Sequence, residues 1–388
     1  MNNILSKSTA LRFVLLIGVV NLFADLTYEG ARSINGPFLG MLGASAAVVG
    51  VVAGFGEFAG YALRSVTGFL ADKTRRYWVT AFVGYAVNML AVPALALAGS
   101  WPAAAALMIA ERTGRAIRRP SVETMLSQTG RKMGVGWAFG LNESLDQGGA
   151  TVGPLVVALV LYLKGGYREG FAVLLISAVL CLGTLTIARW LYPRPQDLDS
   201  RPAVPLQTKG FSRAYWLYVA AGALIAAGFA DFSLIAFHFQ MAGTVSAIAI
   251  PLLYAVAMAT GAITALVFGR LFDRTGISAV LLAFFLAAFF APLVFLGGFS
   301  FALLGMVLWG IGIGAQDSIL KAALTGVTPV EKRSTAFGVF DTGFGIAWFL
   351  GSAAMGFLYG ISLPGLIAFS VVLQLAALPI FLLAGRRS

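Results

Sequence analysis

Charge is what this sequence has least of. Only 11% of its 388 residues are Asp, Glu, Lys or Arg, where a soluble chain carries roughly a quarter. Such a composition cannot furnish the polar surface of a water-soluble protein this long, so a soluble enzyme is excluded. Cysteine is nearly missing as well. The single Cys181 lies in an apolar run, which excludes an intrachain disulfide and a cysteine metal cluster. With one histidine, His238, no His-Glu-x-x-His zinc site can exist. No Gly-rich nucleotide loop ending in Lys occurs either, which argues against ATP hydrolysis. No cofactor and no metal are expected.

What is abundant is apolar: 59% hydrophobic residues, 46 glycines and 30 phenylalanines, with a mean hydropathy of +0.88. The excess runs the whole length of the chain, so a single-span anchored protein is excluded too. A crossing helix needs about 20 mostly apolar residues. That length predicts twelve spans, over 11–34, 44–70, 77–99, 101–119, 136–163, 170–191, 213–240, 247–269, 277–298, 300–322, 333–360 and 363–385. The first follows a short polar opening, contains Asp25 and Glu29, and ends without a small-x-small cleavage site. It is read as a retained span and not as a signal peptide.

Basic residues favour cytoplasmic loops. With the N-terminus inside, the inner segments collect Lys73, Arg75, Arg76, Arg115, Arg118, Arg119, Arg131, Lys132, Arg270, Arg274, Lys332 and Arg333, whereas the outer loops hold little beyond Lys164 and Arg168. The excess of 27 Lys+Arg over 16 Asp+Glu is therefore topology, and nucleic acid is not expected as a partner. Both termini are placed in the cytoplasm. The one Pro-rich polar stretch, including Tyr192-Pro193-Arg194-Pro195 and Arg201-Pro202, divides the chain into a six-span bundle over 1–192, a cytoplasmic linker over 193–212 and a second six-span bundle over 213–388.

The halves repeat one another. Phe23-Ala24-Asp25 matches Phe229-Ala230-Asp231, and Gly68-x-x-x-Asp72 matches Gly269-x-x-x-Asp273. Ala138-Phe139-Gly140 matches Ala336-Phe337-Gly338, and three residues further on Glu143 meets Asp341. Shared order and spacing predict an all-α membrane protein with twelve transmembrane helices in two pseudo-symmetric six-helix bundles, an architecture that holds a midplane site between repeats.

Gly68-Phe69-Leu70-Ala71-Asp72-Lys73-Thr74-Arg75-Arg76 and Gly269-Arg270-Leu271-Phe272-Asp273-Arg274-Thr275-Gly276 resemble the loop signature of the major facilitator superfamily. The first copy has Arg75 where the family usually has Gly. Gly149-x-x-x-Gly153-Pro154 in span five resembles the antiporter signature of that family without its trailing Gly. Glu111-Arg112-Thr113-Gly114-Arg115-Ala116-Ile117-Arg118-Arg119-Pro120 is similar to the end of span four in a bacterial branch. The resemblance implies alternating access, with spans three, six, nine and twelve as outer supports. It also implies that Gly149, Gly153 and Pro154 seal span five against span eight, limiting leak in exporters. Asp72 with Arg76, and Asp273 with Arg274, are expected to latch the inner face, together with Glu143 and Asp341 as inner-gate groups.

Ionisable side chains at mid-membrane cost on the order of 3 kcal/mol or more, so their positions carry function. Asp25, Glu29 and Arg32 fall at i, i+4 and i+7 on one face of span one. Glu57 and Arg64 share a face in span two, and Asp231 and His238 do so in span seven. Asp146 and Asp317 complete the expected cavity set. Asp25 and Glu29 are the expected proton-coupling pair, with Arg32 as the cation that releases or captures them. Gly50-x-x-x-Gly54, Gly56-x-x-x-Gly60 and Gly356-x-x-x-Gly360 are read as helix-packing faces.

Nine buried acids (Asp25, Glu29, Glu57, Glu111, Glu143, Asp146, Asp231, Asp317, Asp341) against Arg32, Arg64, Arg112 and Lys321 favour a cationic or zwitterionic solute. The expectation is a multi-pass plasma-membrane (bacterial inner-membrane) efflux transporter, acting as a monomer by proton antiport on a small organic solute. The alternatives are proton-coupled uptake of an anionic metabolite, with Arg32 and Arg64 as its receptors, and an uncoupled facilitator. An intramembrane enzyme is the distant fourth.

Overall fold

The computed structural model describes residues 7–74, 76–130, 135–193, 210–328 and 333–385. The side chains of residues 7, 65, 72, 127–130, 135–140, 325–326 and 333–335 lie outside that description. Fifteen α-helices follow one another without an intervening strand among the described residues. The first half contains α1 (Lys7–Met41), α2 (Ala46–Thr74), α3 (Tyr77–Ala94), α4 (Trp101–Gly130), α5 (Val135–Tyr162) and α6 (Tyr167–Leu191). The second contains α7 (Arg213–Gly228), α8 (Phe232–Ala242), α9 (Ala249–Thr275), α10 (Ile277–Ala287), α11 (Phe290–Leu296), α12 (Phe299–Asp317), α13 (Ile319–Gly326), α14 (Arg333–Ile361) and α15 (Leu363–Gly385).

The twelve expected spans are recovered with three of them broken: span seven is α7 and α8, span nine is α10 and α11, and span ten is α12 and α13. Among the described residues eleven segments are long and apolar enough to cross a membrane. The twelfth is α4, which falls short only because Glu111, Arg112, Arg115, Arg118 and Arg119 crowd its second half. The protein is thus an all-helical, multi-pass integral membrane protein.

Two boundaries differ from the expected ones in ways that matter. The first span continues to Met41, where Gly43, at φ +84°, turns the chain into α2. The fourth continues to Gly130 through Pro120, so most of the connection expected over 119–135 is helix. Proline at 120 has no N–H to give the carbonyl of Ala116. The Thr67 hydroxyl of α2 donates to that carbonyl instead, at 2.9 Å. With the freed acceptor satisfied, the helix runs on past Pro120 to Gly130.

Two compact units form. One gathers the described residues up to Arg32 with those from Ala59 up to Ala203; the other gathers Ser33–Phe58 with the described residues from Val204 onward. The apolar centre of the first joins α1 to α3 and α6 through Phe13, Val14, Ile17, Trp78, Tyr85, Met89, Cys181 and Leu185. Its α3 and α4 approach closely because Gly84 and Gly114 face each other: a Cβ on Gly84 would stand 2.8 Å from the Gly114 carbonyl oxygen. In the second unit Trp309, Tyr254, Phe232 and Phe229 form a buried aromatic stack. There the expected packing glycines Gly50 and Gly54 press on α14 at Gly356 and Phe349. Gly60 and Gly360 face open space.

Candidate functional site

The first unit carries a polar network built by four helices. α1 supplies Asn21, Asp25, Tyr28 and Glu29; α3 supplies Tyr85 and Asn88; α4 supplies Glu111, Arg112, Arg115 and Arg118; α5 supplies Asn142 and Asp146. Asp25 and Glu29 are both buried, at 5% and 6% exposure. Charges so placed need partners, and α4 provides them. Arg118 Nη2 stands 3.5 Å from Asp25 Oδ1, Arg115 Nη2 stands 3.9 Å from Asp25 Oδ2, and Arg115 Nη1 stands 4.0 Å from Glu29 Oε1.

A second layer orients these groups. Arg118 Nη1 donates to Asn21 Oδ1 at 3.1 Å. The Tyr85 hydroxyl donates to the same oxygen, and Asn21 Nδ2 donates to Asn142 Oδ1 at 2.8 Å. The Arg118 guanidinium lies over the Tyr85 ring at 4.5 Å, while Arg115 and Arg112 lie over the Tyr28 ring at 4.1 and 4.7 Å. Further along α4, Asn88 Nδ2 donates to Glu111 Oε1 at 2.6 Å and Arg112 stands 3.7 Å from Glu111. A cavity of about 110 Å³ opens on this network, lined by Asn21, Asp25, Arg115, Arg118, Arg119, Glu123, Asn142, Glu143 and Asp146 with Val122 and Leu126. That volume admits a few waters or the polar head of a small solute.

The expected site residues divide between this network and elsewhere. Asp25, Glu29 and Asp146 belong to it. Glu143 reaches the cavity from an exposed position and accepts from Gln147 at 3.0 Å. Arg32 is buried on α1, and the ion pairs of Asp25 go to Arg115 and Arg118. Arg64, half-buried, stacks on Tyr61 of its own helix at 4.9 Å. Glu57 and Asp341 are half-buried on α2 and α14.

Asp231 and His238 each make a hydrogen bond within the second unit. Asp231 caps α8, its Oδ1 accepting from the Ser233 N–H at 2.8 Å. His238 Nδ1 is 3.0 Å from the Tyr359 hydroxyl, with Phe295 packed on the ring. Asp317, expected in the cavity set, is exposed and paired with Lys321 at 3.6 Å.

The latch expectation meets the described residues in part. The Asp72 side chain and Arg75 lie outside them. Arg76, Asp273 and Arg274 are exposed, and none of the three makes an ion pair with a described residue. The span-five motif was expected to seal against span eight. Within the first unit Gly149 and Gly153 press on α1: a Cβ on Gly149 would meet the Leu22 carbonyl and one on Gly153 would meet the Leu26 carbonyl. Pro154 is buried beside them.

The acidic surplus also shrinks. Among the described residues four carboxylates (Asp25, Glu29, Glu111, Asp231) and three guanidiniums (Arg32, Arg112, Arg118) are buried, and the Arg115 side chain is only 18% exposed. Arg115 and Arg118 stand among the inner-segment basic charges of the sequence and carry no site expectation there. Their spacing held the signal: Glu111, Arg115 and Arg118 fall at i, i+4 and i+7, one face of a continuing helix. Tyr85 and Asn88 place α3 in the network, although span three was expected to be plain outer support.

Twelve spans, a repeated loop motif and paired charges facing a cavity inside the membrane define a solute transporter rather than an enzyme. The model of the Major Facilitator Superfamily matches residues 19–352, and the chain belongs to that family. An uncharacterized protein of Mycobacterium tuberculosis is 39% identical over 376 residues, covering 95% of this chain and 92% of that one. An uncharacterized MFS-type transporter of Methanocaldococcus jannaschii is 26% identical over 361 residues, covering 90% and 89%. Among solved structures, a nucleoside transporter NupG is similar with a TM-score of 0.76 at 12% identity, over 95% of this chain and all of that one. A peptide transporter POT is similar with a TM-score of 0.78 at 16% identity, over 96% and 93%.

Proposed function

We propose that the protein is a proton-coupled secondary transporter that exports a small organic solute by alternating access. Its two six-span bundles, 1–192 and 213–388, rock about the linker over 193–212, both termini are cytoplasmic, and the chain works as a monomer in the plasma membrane. The observation that carries the reading is Asp25: a buried carboxylate whose two oxygens face two different guanidiniums, at the edge of a polar cavity. Protonating Asp25 or Glu29 weakens their attraction for Arg115 and Arg118 and so loosens α1 from α4. Solute bound through the same carboxylates competes with the proton, which is antiport. Asp72, Arg76, Asp273 and Arg274, with Glu143 and Asp341, act at the inner gate, and Glu57, Arg32 and Arg64 serve the transport path.

A second reading, uptake of an anionic metabolite with protons, draws support from the three guanidiniums of Arg115, Arg118 and Arg119 on the cavity wall. Proteoliposomes loaded with a pH-sensitive dye distinguish the two. Solute added against a pH gradient drives protons opposite to itself in an antiporter and alongside itself in a symporter. Asp25→Asn is expected to abolish proton movement while the variant still folds; normal proton-driven transport by that variant would sink the coupling assignment. Solute flux with no proton movement in the unmodified protein would make it a facilitator.

A further inference from the structure

Arg115 and Arg118 lie one turn apart on α4 and share Asp25, yet they are held differently. Arg118 is 5% exposed and pinned from two other helices, α1 and α3. It donates to Asn21 Oδ1 at 3.1 Å and reaches Asp25 Oδ1 at 3.5 Å, with the Tyr85 ring 4.5 Å from its Cζ. Asn21 is itself fixed by Tyr85 and Asn142. Arg115 has only long contacts, 3.9 Å to Asp25 Oδ2 and 4.0 Å to Glu29 Oε1. A bonded guanidinium–carboxylate pair closes to about 2.7–2.9 Å. Among the described residues the N–H groups of Arg115 make no hydrogen bond. Its plane is nonetheless oriented, stacked on Tyr28 at 4.1 Å, and it lines the same cavity as Asp25.

We propose that Arg115 and Asp25 together form a receptor for a small zwitterion, an ammonium carboxylate. The solute carboxylate takes the N–H fork of Arg115, and the ammonium group takes Asp25 Oδ2. This rests on the transport reading above and names its solute class. The charge arrangement selects against the simpler ions. A bare anion at Arg115 meets Asp25, Glu29 and the cavity carboxylates Glu123, Glu143 and Asp146; a bare cation at Asp25 meets Arg115, Arg118 and Arg119. A zwitterion leaves the net charge of the cavity unchanged and replaces the two long ion pairs of Arg115 by two short ones. Arg118 is a positioning residue: by engaging Asp25 Oδ1 it leaves Oδ2 turned toward Arg115.

The test is binding to the purified full chain by glycine, β-alanine, 4-aminobutanoate, 5-aminopentanoate, leucine and phenylalanine, each beside its matched amine and its matched carboxylate. At least one zwitterion is expected to bind at least about tenfold more tightly than both of its matched ions. Arg115→Gln brings that preference to within about twofold, and Arg115→Lys, which keeps the charge and serves as the folded control, restores part of it. Arg118→Gln weakens all three ligand types together, as loss of positioning does. Zwitterions that bind no better than their matched amines, or a preference that survives Arg115→Gln, overturn the inference. A solute of another charge class that still drives proton movement in proteoliposomes overturns it while leaving coupled transport intact. Absence of any solute-driven proton movement strikes the transport reading instead.

Discussion

The tripeptide Phe-Ala-Asp occurs once in each half, and the two copies have separate fates. Phe23-Ala24-Asp25 sits inside the unbroken α1, where no backbone group needs the carboxylate, so Asp25 turns to the guanidiniums of α4. Phe229-Ala230-Asp231 is the break between α7 and α8, and there the carboxylate caps the new helix. The break is braced on every side: Ser370 and Gln374 of α15 donate to the Gly228 carbonyl at 2.6 and 3.2 Å, and Trp309 of α12 donates to the Ala230 carbonyl at 2.9 Å. In a membrane, unwound backbone survives only where protein satisfies it. Equal sequence thus gave an ion-paired carboxylate in one half and a helix cap in the other.

The sharpest way to break this comparison is to neutralise both aspartates in turn. Asp25→Asn is expected to eliminate proton-coupled transport, whereas Asp231→Asn, which retains a capping side chain, keeps most of it; equal losses in the transport assay would mean the two positions still act alike. Removing the brace comes next. Trp309→Phe leaves the Ala230 carbonyl unpaired and should cost about 1–3 kcal/mol, read as a lowered unfolding midpoint in detergent. Asp231→Ala deletes the cap, with an expected cost of about 1 kcal/mol and a visible effect on thermal stability but not on coupling. The smallest change is Lys321→Ala at the exposed Asp317 pair, expected within about 1 kcal/mol of the unmodified protein and without effect on transport rate.

Much of the fold was legible because hydropathy is read locally. Twenty apolar residues specify a crossing helix whatever surrounds them. The candidate site was legible by half. Asp25 and Glu29 stood out as charges in apolar runs, but Arg115 and Arg118 stood in a basic run at the inner end of span four, where arginines ordinarily mark topology. What they face comes from other helices: Asp25 and Asn21 of α1 and Tyr85 of α3. Asn21, Tyr85 and Asn142 were invisible for a related reason: uncharged polar residues gain meaning only from what they bond.

By itself, then, the sequence determined the solvent this chain folds in, the number of its spans and the repeat that relates its halves. All of these follow from composition and spacing along one strand of chain. The tertiary structure alone decided which cation each buried carboxylate faces, that span seven breaks at Asp231, and that Gly149 and Gly153 press on α1. Those outcomes depend on side chains from separate helices meeting at hydrogen-bond or van der Waals distance. Sequence spacing on a single helix cannot encode such meetings.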